Sequence, residues 1–343
     1  MDLRDRDAAR VGFAASAPME LQELHCTRLL CATRWASRSS AVEELLASRR
    51  EWLARTEATG VRTALLHASG WLVQWHEGSA AAVDVEWRRL AGDPQRQGLV
   101  ALHCSDGPPV LTAAVQVVSV HGGERDTDVE RRLRALLHDP QQGLRVHPLD
   151  AWESLSAPVD GSNGGMAPAQ HVLAIASEDN EAVEMVRLIG QVAGKRVVYQ
   201  RYAGSSLKRA DAGAAYLDVP IEGSGITRLH ALPRRAFAAG APLLGVRDVQ
   251  RVFLMLGTHA RRGRVLLQEV IRLLHSLPEP PSVFVAARCP EVRDAALAQL
   301  AAAGGLRASH APLAGAGRPA AALAWRLLHS GAGAEVHTMA AAL

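Results

Sequence analysis

Aromatic residues are scarce: four Phe, three Tyr and seven Trp make up 4% of 343 residues. Leucine, valine and alanine must therefore fill most of any core, and each Trp marks a position that needs bulk. Cysteine is scarcer, at four: Cys26, Cys31, Cys104 and Cys289. No CxxC pair occurs, which removes the commonest redox and zinc spacings. Cys26 and Cys31 lie in apolar surroundings and read as buried thiols, and a reducing cytoplasm is the expected location. No stretch reaches the roughly 18 apolar residues that span a bilayer. Met1 to Arg10 is charged and lacks an apolar centre, so no signal peptide is expected. Nor is there an excess of one charge: 38 basic against 35 acidic residues leave +3. That balance gives no drive toward nucleic acid.

Catalytic patterns are missing too. No Ser-His-Asp order or paired carboxylate stands out, and no two histidines have the HxxxH spacing of a helical metal site. The expectation is a protein that is not an enzyme and holds no metal.

What remains is an ordinary globular composition, 48% apolar and 21% charged, long enough for two domains. The most informative stretch is Gly70-Trp71-Leu72-Val73-Gln74-Trp75-His76-Glu77-Gly78. With the apolar run from Val61 to His67 before it, it reads as a β-hairpin turning at Ser69-Gly70. Strand alternation puts Trp71, Val73 and Trp75 on one face and Leu72, Gln74 and His76 on the other. A helix could cover the polar-bearing face, and so could a flat ligand whose edge the polar groups read.

Around the hairpin, Leu24 to Thr33 reads as a strand, and Ser39 or Ser40 caps an amphipathic helix to about Arg55. Ala80 to Leu90 is a second helix, stopped at Asp93-Pro94. Gly98 to Cys104 and Ala113 to Val120 are further strands. The order β-α-β-β-α-β-β begins as a split β-α-β arrangement, a ferredoxin-like α+β domain over residues 20–122. Residues 123–155 form an extension, with a short helix from Val129 to Leu137 and an irregular run from Gln141 to Trp152. Residues 156–169, rich in Gly and Pro, read as a linker. Residues 170–335 alternate short apolar strands with helices, which predicts a three-layer α/β domain with a mostly parallel sheet.

The first domain, from about residue 22 to 121, resembles the BLUF domain, a blue-light sensor that binds FAD. The likeness rests on Trp71-Leu72-Val73-Gln74-Trp75-His76-Glu77-Gly78, on Asp93 after the second helix, and on Val115-Gln116-Val117. It implies FAD between the two helices, near Gln74, Ser48, Arg55 and Arg96. In the family a Tyr on the first strand gives an electron to the excited flavin, and the hairpin Gln then changes its hydrogen bonding. The Gln matches Gln74; Thr33 stands at the Tyr position, and Thr56 near that of an Asn that holds both Gln and flavin. A threonine cannot donate an electron as a phenol can, so altered photochemistry is implied.

The second half faintly resembles a Ras-like GTPase in layout, without its nucleotide motifs. Val172 to Ala176 is followed by Ser177-Glu178-Asp179-Asn180, where a phosphate loop would need glycines and a lysine. Two functions fit. One is a BLUF-like sensory protein that passes a signal to a protein partner, through the second domain, a sheet face or a second copy of the chain. The other is a cofactor-free interaction scaffold built from both domains.

Overall fold

The computed structural model describes residues 25–35, 41–94, 96–111, 114–121, 126–138, 147–156, 170–178, 180–202, 212–221, 225–238, 249–277, 279–310 and 317–329. They fall into two compact units that divide near residue 157. The expected polar lead at Met1 to Ala17 and the expected linker beyond Ser156 lie outside the described residues.

The first unit opens with β1 (Cys26–Trp35) and α1 (Ala41–Thr59). Gly60, in the left-handed region at φ 71°, returns its N–H to the Thr56 carbonyl and ends the helix. β2 (Arg62–Ala68) and β3 (Trp71–Gly78) follow, joined at Ser69 and Gly70 with φ of 42° and 76°. Two successive left-handed residues match the twist of a tight hairpin, which explains the Ser-Gly pair. α2 (Ala80–Ala91) is capped by the Ser79 side chain, which accepts from the Ala82 N–H. β4 (Arg96–Gly107) and β5 (Val115–His121) complete the sheet, in the order β5-β2-β3-β1-β4.

β3 therefore lies inside, antiparallel to both β1 and β2. Leu45 and Trp52 of α1 pack on Leu65 and Leu72, and Val83 of α2 packs on Leu29. Leu65 faces Gln74 in register and Leu29 faces His76, so both helices cover the face that carries Gln74. On the opposite face Trp75 meets Trp152.

Trp152 belongs to α4 (Pro148–Ser156), which follows α3 (Asp126–His138). The irregular run expected up to Trp152 is thus helical from Pro148 onward, and Ser156 is its last residue rather than linker. Leu149, Trp152 and Leu155 recur every three residues and are all buried, a short apolar stripe that tertiary packing holds in place.

The second unit runs β6 (Gln170–Ala176), α5 (Glu181–Ala193), β7 (Val198–Tyr202), β8 (Ala212–Ile221), β9 (Gly225–Pro233), α6 (Arg234–Ala238), β10 (Val249–Leu256), α7 (Ala260–Ser276), β11 (Ser282–Ala287), α8 (Pro290–Ala302), β12 (Arg307–His310) and α9 (Arg318–Leu328). Its strands lie in the order β12-β11-β10-β6-β9-β8-β7. Val172 and Ala174 pack with α5 and α9, while Leu173 and Ile175, of opposite parity, are buried as well. Both sheet faces are therefore covered.

The mostly parallel sheet expected from the sequence is corrected to a mixed one. β6 pairs in parallel with β10 and β9, but β8 runs antiparallel to both β9 and β7. The reason is local: only residues 222–224 separate β8 from β9, too few for the crossover that a parallel pair requires. β8 includes residues 212–217, a stretch whose sequence pattern alone favours neither strand nor helix.

Across this hairpin Arg228 grips Asp218 in a two-point ion pair, Nε to Oδ1 at 2.7 Å and Nη2 to Oδ2 at 3.0 Å, both side chains 2% exposed. Replacing Arg228 by Met strands a buried carboxylate. We expect a loss of about 3–5 kcal/mol in urea unfolding, largely recovered when Asp218→Asn is added. A loss below about 1 kcal/mol would show that the pair behaves as a solvated one.

Candidate functional site

Every side chain from Trp71 to Glu77 is buried. Buried strands of this kind are normally apolar, so the polar residues of β3 need partners. Gln74 has none: it is 0% exposed, and neither its Oε1 nor its Nε2 has a hydrogen-bond partner among the described residues. Its neighbours across the sheet are Cys31 and Leu65. Burial pushes the Cys31 thiol up to about 12, so it is a neutral wall rather than a nucleophile.

His76, two residues along on the same face, shares a hydrogen bond with Thr63 through Nδ1 at 3.1 Å. Its Nε2 is buried without a partner, and its ring stacks on Trp52 with centroids 6.2 Å apart. Burial lowers its pKa to about 3, helped by the positive charges of Arg89, Arg96 and Arg55. The imidazole is therefore neutral throughout the physiological range.

Five of the residues singled out from the sequence, Arg55, Arg96, Gln74, His76 and Thr33, lie on this side of the sheet or at its rim. Arg55, on α1, pairs with Glu51 and lies over the Trp52 ring, 4.8 Å from its centroid. Arg96, at the start of β4, donates to Asp93 at 3.0 Å. Burial lowers its pKa, and the Asp93 bond opposes that. Gln74 and His76 are the inner wall. Thr33 is fully buried on β1 opposite Leu72, with its hydroxyl 3.4 Å from the Arg34 carbonyl. The Thr56 hydroxyl is turned to backbone, donating to the Trp52 carbonyl at 3.1 Å with the Ala114 carbonyl at 3.3 Å. It offers little to a ligand. Ser48 lies on α1, and its side chain is outside the described residues.

Two participants escape a strand-by-strand reading. Trp52 covers His76, and Arg89 of α2 lies over the same indole at 5.4 Å. Trp52 and Arg55 are three apart on one helix, and Glu86 and Arg89 three apart on another, so each pair shares a face. Nothing in those spacings says that the two helices meet at one ring.

In the second unit, the acids after β6 are tied to nearby basic side chains. Glu178 pairs with His259 at 3.3 Å and Arg262 at 3.2 Å, and Glu181 pairs with Arg288. His171 and His230 share a hydrogen bond of 3.0 Å, and burial lowers the pKa of both. Among the described residues no group of three or more His, Cys, Asp or Glu is placed to hold a metal, and no helix is long and apolar enough to cross a membrane.

No family model and no curated protein matches the chain. Solved structures do. BlrB, a BLUF protein in its dark state, is 21% identical, with 34% of this chain and 89% of that one covered and a TM-score of 0.27. BlsA in its ground state is 16% identical, over 34% and 82%, at 0.26. A bacterial light-regulated adenylyl cyclase is 12% identical, over 74% and 68%, at 0.27. All three are likenesses at low identity and low TM-score, the first two over about a third of the chain.

The state of His76 has a measurable consequence. An unfolded chain protonates this histidine near pH 6.5, whereas the fold keeps it neutral down to about pH 3. Acid therefore favours unfolding, and the contribution is lost as pH falls below 6.5. Between pH 6.5 and 5 that amounts to about 2 kcal/mol. His171 and His230 act in the same direction, so the test is the difference between the wild type and His76→Asn in urea unfolding across this range. Parallel stability curves for the two proteins would contradict a buried neutral His76.

Proposed function

We propose that the first unit is a flavin-binding, light-sensing module of a signalling protein, with FAD between α1 and α2 on the face of β3. One observation carries this: Gln74, a fully buried amide with both polar atoms unpartnered. Such a group costs about 1–3 kcal/mol unless a partner arrives. A flavin edge alternates donors and acceptors and would satisfy both ends of an amide. Gln74, His76, Arg55 and Arg96 would hold it, with Ser48 on the covering helix. Bound flavin supplies an excited state that accepts an electron.

Thr33 and Thr56 then set this chain apart. Thr33 offers no phenol, and the Thr56 hydroxyl is turned to backbone carbonyls. The light response would therefore differ from one driven by a tyrosine. In this reading the protein is not an enzyme. The second unit, or an exposed face of the first, passes the signal to a protein partner or a second copy, in the cytoplasm and without nucleic acid or membrane.

A specific contact favours a second reading, a cofactor-free interaction scaffold. The Trp52 indole stacks on His76 and so covers part of the same face. In the second unit, Glu178 holds His259 and Arg262 where a phosphate loop would need glycine and lysine. A GTPase-like layout there would then serve binding rather than hydrolysis.

The visible spectrum of the purified chain, before and after incubation with FAD, separates the two. The sensor reading expects bound flavin bands. It also expects Gln74→Leu to weaken uptake by about tenfold or more, the equivalent of one to two lost hydrogen bonds. Thr33→Tyr places a phenol on the face that carries Gln74 and should shorten the flavin fluorescence lifetime relative to the wild type. A colourless chain that takes up no FAD leaves the scaffold.

A further inference from the structure

The chain carries a net charge of +3, from 38 basic and 35 acidic residues. Helix α7 holds four arginines and one glutamate, and taking these away leaves 34 residues of each sign. The whole excess of positive charge therefore sits on one helix of the second unit. It is also arranged. At 3.6 residues per turn, Arg261, Arg264, Val265, Gln268 and Arg272 fall within an arc of about 100° and span about 17 Å along the axis. All five are exposed, while Leu266, Leu267, Val270, Leu273 and Leu274 on the opposite arc are buried.

Arginines elsewhere are answered locally. Arg88 and Arg89 on α2, Arg131 and Arg134 on α3 and Arg187 on α5 each pair with a carboxylate three or four residues away. On α7, Arg262 reaches Glu178 but lies off the stripe. Arg261, Arg264 and Arg272 meet no carboxylate among the described residues. The one acid of the helix, Glu269, stands at the margin of the stripe with its Oε2 buried. The arrangement costs the helix stability. Arg261 and Arg264 repel each other at a spacing of three, and both lie near the positive end of the helix dipole, where no acid stands in the first turn.

The surroundings decide which anion the stripe suits. A helix that lies on a membrane inserts its apolar face, and the apolar face of α7 is buried in its own unit. A nucleic-acid surface would pair its cations with aromatic rings that stack bases, and the stripe has none. Its one apolar residue is Val265, 43% exposed, with Arg261 and Arg264 toward one end of the helix and Arg272 toward the other. Arginines around a small apolar contact are the make-up of a protein interface.

We propose that the outer face of α7 is a docking surface for an acidic protein segment, whose carboxylates meet Arg261, Arg264 and Arg272 around an apolar contact at Val265. The proposal rests on the reading that the chain acts through a protein partner, in its sensory or its scaffold form, and supplies the surface and the partner's chemistry. It does not depend on flavin.

The test uses the full chain and a synthetic helical peptide with glutamates along one face and a leucine among them, followed by calorimetry. We expect binding that weakens as salt is added. Arg264→Glu combined with Arg272→Glu should weaken it at least about tenfold. Arg318→Glu, at an exposed arginine on α9, should leave it unchanged. Val265→Ser should weaken the peptide severalfold but not poly-L-glutamate, which has no apolar group to place there. Thermal unfolding checks each variant, and Arg272→Gln alone repeats the measurement should the double reversal fail to fold. No binding, or binding indifferent to the reversal, overturns the surface. So does tighter binding of duplex DNA or of phosphatidylserine vesicles, or a self-association that the reversal abolishes. FAD uptake by the same samples keeps the readings apart. A colourless chain that binds the peptide loses the sensor and keeps the surface, and a flavin-loaded chain that ignores the peptide does the opposite.

Discussion

β3 is a strand with no exposed side and no free edge, and this constraint governs the first unit. It pairs with β1 on one side and β2 on the other, and everything from Trp71 to Glu77 is buried. Its register is correspondingly strict. A slip of one residue would exchange the Trp71-Val73-Trp75 set with the Leu72-Gln74-His76 set. Trp75 would then leave Trp152, and His76 would leave Trp52. The left-handed pair Ser69 and Gly70 fixes that register by fixing the turn. An inner strand can carry a glutamine only where the cost of drying its amide is met by something nearby.

Much of this was legible in the chain. A period of two through Trp71 to His76 and a turn pair before it are local features, and local features survive folding. The helices of the second unit read from their 3.6-residue spacing for the same reason. What escaped has a common physical origin. α4 is a single short stripe whose stability comes from Trp152 meeting Trp75, a contact 77 positions apart in the sequence. The antiparallel run of β8 and β9 depends on which strand becomes the neighbour, and hydrophobic pattern does not encode that. Arg89, three residues from Glu86, has in sequence the look of an ordinary surface pair on α2. Its meaning comes from Arg55 reaching the same indole from α1. Thr56 illustrates the converse. Its place in the sequence suggested a ligand contact, and only the fold shows its hydroxyl bound to the carbonyls of Trp52 and Ala114.

The two units manage buried polarity differently, and the difference bears on function. At β8 and β9 the charged groups answer one another: Arg228 meets Asp218 at two points, while His230 meets His171 of β6. Under α1 and α2 the partners run out. Each arginine there has one carboxylate on its own side and a buried nitrogen left over, and the glutamine has nothing at either end. A cofactor-free scaffold gains nothing from leaving those donors dry, because leucine or methionine at the same positions would pack as well at lower cost. A ligand site gains selectivity from them: donors left unmet in the empty state are the ones that reject a ligand lacking the matching acceptors. The unmet groups at Gln74, Arg55, Arg89 and Arg96 therefore weigh toward a bound small molecule.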